Sequence, residues 1–283
     1  MAKTCRRCFR DCQPEDVFCS RCGFDLRYGV SQRARRGVCI YCERYCELSD
    51  EHIYGAWLDR EFLQEASVHR HTLSRPIREA IEAPLEVRST SAMRRPYSEK
   101  VRNVCEQCNN GWMSGIYEAA RAETKMLANG FWPRFSDEQA SFLSRWALMV
   151  SINLECKGRV RSVSQAQRTA LMNGRMPDGV RVSISKLRYE PRAWDWVRAF
   201  SVPDPETGSL VNGQSTFFKV EHIAFHVISV EGKGFELLEM ERSFIPRLPR
   251  QIWPTNEGPL IRNKISCAID DLVTLQLHMG WTM

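Results

Sequence analysis

Cysteine pairs at metal-binding spacing are the first residues of this 283-residue sequence that could do chemistry. Two thiolates three positions apart can converge on one metal ion in a tight turn, so each Cys-x-x-Cys unit is half of a zinc site. The chain holds four such units, which make two four-cysteine sites. We predict one zinc ion on Cys5, Cys8, Cys19 and Cys22, and a second on Cys39, Cys42, Cys105 and Cys108. In a reducing compartment such pairs more often bind metal than form disulfides.

A histidine that follows a carboxylate lies between the two cysteine pairs of the second predicted site. Glu51-His52 comes after the first pair, and Asn109 comes directly after the second. Histidine, with an unperturbed pKa of about 6.5, suits a general base near neutral pH. A carboxylate and an asparagine oxygen can hold one Mg²⁺, with waters and a phosphate oxygen completing an octahedron. Hydrolysis of a phosphodiester requires a base that activates water and a cation that neutralises charge on the phosphoryl group, and these residue types can supply both.

Three segments together, Cys39-Ile-Tyr-Cys42, Glu51-His52-Ile53 and Cys105-Glu-Gln-Cys108-Asn-Asn-Gly-Trp-Met-Ser, resemble the HNH nuclease family. The resemblance is to a branch of that family with a four-cysteine zinc core. It implies a ββα-metal fold in which zinc ties the hairpin after Cys39 to the helix after Cys108. It also implies an endonuclease that needs Mg²⁺ or Mn²⁺.

The same resemblance assigns roles residue by residue. His52 takes the position of the general base, and Glu51 and Asn109 take the positions of the cation ligands, with Asn110 as the nearest competitor of Asn109. The family's middle asparagine usually lies several residues before the second cysteine pair. Here Asn103 is the nearby candidate for that catalytic position, and it lies only two residues before Cys105.

The predicted partner is DNA, with RNA as an alternative substrate because the phosphodiester chemistry is nearly the same. Formal charge is +6 (Lys+Arg 40, Asp+Glu 34), which is compatible with a polyanion but does not establish one. The cations expected to contact phosphate flank or lie within the strand that leads into the second cysteine pair of the nuclease site; they are Arg88, Arg94, Arg95, Lys100 and Arg102. His69 and His71, in the same segment, are expected to be solvated rather than to bind metal.

Composition limits the class of protein. With 43% hydrophobic and 26% charged residues the chain is a folded protein rather than a disordered one. No apolar run approaches the roughly 18 residues that a membrane helix requires, and the N-terminus lacks the apolar segment of a secretory signal. We therefore expect a cytoplasmic protein with no membrane partner.

The predicted fold class is α+β in four parts. A zinc ribbon (1–27) resembles small modules at the ends of many prokaryotic proteins, which bind nucleic acid or protein or only cap a domain. A basic linker (28–37), the HNH domain (38–130) and a mixed α+β domain (136–283) follow. Residues 136–283 show no readable chemistry and could recognise DNA, bind a protein partner or form a dimer.

Periodicity and capping residues predict the elements that must position these side chains. Ser136, with Gln139 three residues later, has the pattern of a capping box and predicts a helix start. Helices are predicted at about 58–67, 114–128, 136–156 and 164–173, strands at 97–104, 180–187, 216–220, 224–230 and 235–240, and a helix or strand at 265–280. A rival hypothesis keeps the zinc folds but not the chemistry, as a catalytically inactive protein that binds nucleic acid or protein.

Overall fold

A computed structural model of the chain describes residues 3–4, 11–13, 36–62, 67–76, 85–157, 161–187, 194–203, 207, 209–231, 250–255 and 266–267. Helices and mixed sheets share this part of the chain, so the predicted α+β class is confirmed. Four of the predicted segments lie wholly or mostly outside the described residues: most of the ribbon, including its four cysteine ligands, most of the basic linker at 28–37, the strand at 235–240 and most of 265–280. No helix within the described ranges is long and apolar enough to cross a membrane.

Thirteen strands and five α-helices are described. The strands are β1 (Lys3–Thr4), β2 (Asp11–Cys12), β3 (Arg36–Val38), β4 (Tyr45–His52), β5 (Ser67–Pro76), β6 (Leu85–Arg94), β7 (Lys100–Cys105), β8 (Val180–Leu187), β9 (Trp194–Pro203), β10 (Leu210–Val220), β11 (Ile223–Val230), β12 (Arg250–Trp253) and β13 (Ser266–Cys267). The helices are α1 (Ala56–Glu61), α2 (Glu106–Cys108), α3 (Ser114–Ala128), α4 (Asp137–Glu155) and α5 (Gln165–Met172), with a π-helical turn at Asn109–Met113 between α2 and α3.

A small sheet and one helix surround the Glu-His pair. Strands β3, β4 and β7 form an antiparallel sheet in which β4 lies in the middle. The last residue of β4, His52, pairs with Lys100 at the start of β7. After β7 the chain turns through α2 into α3. The end of β4 and the start of the long helix therefore come from segments about 60 residues apart.

An eight-stranded sheet makes up most of the remaining structure. Its order is β12-β8-β11-β10-β9-β5-β6, with β13 pairing β8 off this path. The hairpin of β5 and β6 joins it through a parallel pairing of β5 with β9, in which His71 is the register partner of Asp195. This hairpin was not predicted, and it carries part of the segment between β4 and β7 onto a sheet built largely from residues after 180.

Helix α4 packs against both the cysteine-bearing segment and the large sheet. It begins with the predicted capping box, in which Ser136 and Gln139 satisfy each other's backbone N–H groups. Its Trp146 is fully buried and contacts the rings of Phe218 and Phe225 in the large sheet. One hydrophobic cluster runs from the cysteine-bearing segment through α4 to β12, so a continuous core crosses residues 130–136.

Several elements begin and end close to the predicted positions. Helix α3 and strand β8 have the predicted bounds, and α5 and β11 agree to within one residue. The first helix differs, because α1 starts at Ala56 and ends at Glu61 rather than covering 58–67. Gly55, at φ 91°, supplies a backbone conformation that ends β4 and starts α1 two residues early.

Candidate active site

The four cysteines of the second predicted zinc site lie together. Their sulfur atoms are all within 4.8 Å of one another, and the Sγ atoms of Cys42 and Cys105 are 3.7 Å apart. Tetrahedral Zn–S bonds of about 2.3 Å place neighbouring sulfurs about 3.8 Å apart. The donor set and its spacing therefore fit one structural zinc ion held by Cys39, Cys42, Cys105 and Cys108.

Backbone and side-chain donors surround these thiols. The N–H of Cys105 donates to Cys39 Sγ, and the N–H of Cys108 donates to Cys105 Sγ, both at 3.4 Å. Burial alone would raise the pKa of Cys42, but hydrogen bonds from Arg44 and neighbouring thiols lower it to about 6. Burial raises the pKa of the Cys39 thiol. Metal binding requires the thiolate form, so the N–H donors favour the state that a zinc ion would bind.

An open pocket of about 310 Å³ lies beside the cysteine group. Its wall combines the end of β4, helix α1 and the start of α3. Three of the predicted catalytic residues, Glu51, His52 and Asn109, line it together. The full lining is Asp50, Glu51, His52, Ala56, Trp57, Arg60, Asn109, Asn110, Ser114, Tyr117, Glu118 and Arg121.

Glu51 is a buried carboxylate at the wall of this pocket, with 3% of its surface exposed. Tyr117 Oη donates a hydrogen bond to its Oε1. Burial raises the pKa of Glu51 to about 7, against the opposing effects of Tyr117 and Lys100. No neighbouring cation among the described residues fully compensates the charge of this carboxylate. It is therefore suited to binding a cation that enters from the pocket.

His52 is half-buried at the end of β4. Burial lowers the pKa of its imidazole, and the positive charges of Lys100 and Arg60 lower it further, with Asp59 opposing. The ring is therefore neutral near pH 7 and able to accept a proton. The backbone carbonyl of His52 accepts a hydrogen bond from Tyr117 Oη at 2.9 Å, so the same tyrosine contacts both residues of the Glu-His pair.

The asparagines differ in where the fold places them. Asn109 Nδ2 donates to Ser49 Oγ at 3.1 Å, which leaves the amide oxygen as the atom that could bind a cation. Asn110 also lines the pocket, and its Nδ2 donates to Glu106. Asn103 is buried and does not line the pocket, and its side chain is hydrogen-bonded with Cys156. The structure therefore brings Asn109, and not Asn103, together with Glu51 and His52.

The predicted phosphate-binding cations lie on β6, on β7 and in the segment between these two strands. Arg95 pairs with Asp59 at 2.9 Å, and Arg102 pairs with Asp50 at 2.6 Å. Lys100 is exposed beside His52 and makes no ion pair with a described carboxylate. Arg88 on β6 is exposed, and Arg94 ends β6 with its side chain outside the described part of the structure.

Sequence reasoning missed three residues of the pocket. Arg60 on α1 and Arg121 on α3 bring positive charge to its wall, and Tyr117 holds the Glu-His pair. A Cβ on Gly55 would lie 2.7 Å from the Tyr117 ring, so this glycine permits the tyrosine's close approach. Helical spacing could have found Tyr117 and Arg121, because both follow Ser114 on the pocket side of α3.

The expectation that His69 and His71 are solvated is wrong. Both are buried on β5 and face the carboxylate of Asp195 on β9; His69 Nε2 lies 2.7 Å from Asp195 Oδ2, and His71 Nδ1 contacts Oδ1. Lys157 Nζ lies 2.8 Å from Glu99 and 3.4 Å from Asp195. One ring nitrogen of each histidine therefore contacts a carboxylate more than 120 residues away in the sequence. We call these five residues the Asp195 network.

The Asp195 network already contains its own cation. Burial alone would raise the pKa of Asp195, but Lys157, His69 and His71 together hold it far below its usual range. Ligand atoms of His69, Glu99 and Asp195 lie within 4.8 Å of one another, a spacing that metal sites share. The Lys157 ammonium lies among these carboxylates, so we interpret the group as a buried ion network.

Comparison of the chain with known protein families, with curated proteins and with solved structures found no match.

Proposed function

We propose that this protein is a zinc-stabilised, metal-dependent endonuclease of the HNH type that hydrolyses DNA phosphodiester bonds. The observation that carries the proposal is the meeting of Glu51, His52 and Asn109 in one open pocket beside a buried four-cysteine group. Segments on either side of a long insertion supply these residues. The pairing of β4 with β7 and the turn into α3 agree with the ββα arrangement that the resemblance implies.

Each pocket residue has a role that its surroundings support. His52, kept neutral by its lowered pKa, accepts the proton of the attacking water. Glu51 and Asn109 are the residues that would hold Mg²⁺ or Mn²⁺ through oxygen atoms, and Tyr117 fixes the Glu51 carboxylate. A bound divalent ion supplies positive charge that stabilises the transferring phosphoryl group.

The metal content follows from the same proposal. One structural zinc ion belongs to Cys39, Cys42, Cys105 and Cys108, and a second belongs to the N-terminal ribbon through Cys5, Cys8, Cys19 and Cys22. Strand β1 pairs with β2, and the first cysteine pair of that ribbon lies between these strands in the sequence. Lys100, Arg88 and the cations of the pocket wall would contact the DNA backbone.

Cleavage of supercoiled plasmid tests the proposal. Wild type with Mg²⁺ or Mn²⁺ is expected to cut, EDTA to stop the reaction, and His52→Ala to slow it by about 10²- to 10⁴-fold, the usual contribution of a general base. His222→Ala is the matched control, because it removes an imidazole on the β10–β11 turn, and it should cut like wild type.

The same assay distinguishes the other hypotheses. Cutting of RNA but not DNA would make RNA the substrate. Equal inertness of wild type and His52→Ala on both, with binding retained, would favour the catalytically inactive nucleic-acid-binding protein. A His52→Ala variant that cuts at the wild-type rate would contradict the role of His52.

A further inference from the structure

The backbone just after the end of β4 is hydrogen-bonded to two other segments of the chain. The N–H of Ile53, the residue after His52, donates to the backbone carbonyl of Glu99 at 3.0 Å. The carbonyl of Ile53 accepts from Asn153 Nδ2 on α4 at 3.4 Å. Asn153 also hydrogen-bonds with Tyr117. The backbone on the C-terminal side of His52 therefore has partners on two other segments.

Glu99 is in turn held by the Asp195 network. Its Oε2 lies 2.8 Å from Lys157 Nζ and 3.8 Å from His69 Nδ1. Lys157 follows the end of α4, and it also contacts Asp195 on β9. Ion pairs buried to this extent have little freedom, because each charge has exchanged water for a fixed partner. A movement of Glu99 would therefore disturb its contacts with Lys157 and His69, both of which also contact Asp195.

We propose that the Asp195 network positions His52. The network holds Glu99, whose backbone carbonyl accepts the hydrogen bond from Ile53. It thereby fixes the position of the end of β4, which places the His52 imidazole in the pocket. Lys157, Asp195 and Glu99 are positioning residues, since none of them lines the pocket. The inference rests on the proposed function for the role of His52, and it gives residues 136–283 a part in the reaction.

A displacement of the base by about 1 Å can cost up to roughly 10²-fold in rate, so the network should be visible in kinetics. In Lys157→Met the ammonium is lost and the stem is kept. We expect kcat for plasmid cleavage to fall by roughly 10- to 100-fold with KM within about twofold of wild type. We also expect faster hydrogen exchange at the Ile53 amide, whose acceptor is then free to move.

Arg168→Met is the matched control. Arg168 is as buried as the network, and its guanidinium pairs with Glu155 at 2.7 Å and donates to Val163, away from Glu99 and Ile53. It should lower stability by a similar amount while leaving kcat and Ile53 exchange near wild type. Lys157→Arg keeps the charge and should restore most of the activity.

Two results would overturn the inference. One is an Ile53 amide that exchanges at the wild-type rate in Lys157→Met, and the other is a kcat that falls no further than in Arg168→Met. If Lys157→Met does not fold, Glu99→Gln, which keeps an acceptor, replaces it with the same readouts and criteria. If wild type cuts no nucleic acid, the proposed function fails; Ile53 exchange alone then decides whether the network holds this strand end.

Discussion

Glu51 and Asp195 are both buried carboxylates with a histidine beside them, and their pKa values move in opposite directions. Asp195 has Lys157 and two histidines around it, and its pKa lies far below the usual range. Glu51 has a tyrosine hydroxyl and a distant lysine, and its pKa rises to about 7. Burial is similar in the two cases, so compensation by cations makes the difference. Asp195 is therefore compensated within the fold, whereas Glu51 can bind a ligand that enters from the pocket.

Removal of each negative charge should give the largest contrast between the two regions. Asp195→Asn leaves Lys157 and the histidines buried without their common partner, so we expect the free energy of unfolding to fall by about 3–5 kcal/mol. Glu51→Gln keeps the acceptor for Tyr117 and removes an uncompensated charge, so stability at pH 7 should be unchanged or higher. Urea unfolding of both variants measures this difference. Equal losses of stability in the two variants would contradict the interpretation that only Asp195 is compensated by cations.

A third buried histidine provides a case without any carboxylate. His226 hydrogen-bonds Ser215 and stacks on Phe217, and burial lowers its pKa to about 3. Below about pH 6.5 the His226 imidazole is protonated in the unfolded chain but stays neutral in the folded chain. The free energy of unfolding therefore falls as the pH is lowered. From pH 7 to pH 5 this costs about 2 kcal/mol.

His226→Gln should remove that part of the pH dependence. Unfolding followed at pH 7 and at pH 5 in wild type and variant isolates the effect, because other titrating groups are common to both proteins. An identical slope in the two proteins would mean that His226 is protonated in the folded state, contrary to its surroundings.

The smallest effect is expected where charges are exposed. Arg102 and Asp50 pair at 2.6 Å with 46% and 34% of their side chains accessible, so Arg102→Ala should change stability by less than about 1 kcal/mol. Lys100→Ala should reduce the slope of log affinity for DNA against log salt by about one, because this ammonium is open to a phosphate. Arg102→Ala should reduce that slope less. The opposite order would show that the pairing with Asp50 opens on DNA.

Local patterns account for what the sequence could predict. The spacing of the cysteine pairs, the adjacent Glu51 and His52, and the Ser136 capping box each depend on residues a few positions apart. For the same reason the bounds of α3 and β8 could be predicted, since their periodicity lies within one element. Joining Glu51 to Asn109 required the resemblance, because the pairing of β4 with β7 that brings the two segments together connects residues about 50 positions apart.

The hairpin of β5 and β6 could not be predicted, and the reason is chemical. Strand patterns are recognised by alternating apolar residues, but the buried positions within the described 68–73 part of β5 are His69 and His71, whose partner Asp195 lies over 120 residues away. Without that partner two histidines in a polar segment have the composition of a loop. Helical spacing could place Tyr117 on the same face of α3 as Ser114, but it could not predict the contact of its hydroxyl with Glu51, which lies 66 residues away in the sequence.

The parallel pairing of β5 with β9 also sets an order of events during synthesis. Chains are made from the N-terminus, so all four cysteines of the zinc group leave the ribosome well before Trp194–Pro203 exists to receive the hairpin. The four-cysteine group can therefore assemble while Glu99 still lacks Asp195. The strand end that carries His52 would gain the support of the Asp195 network only after Trp194–Pro203 has been made.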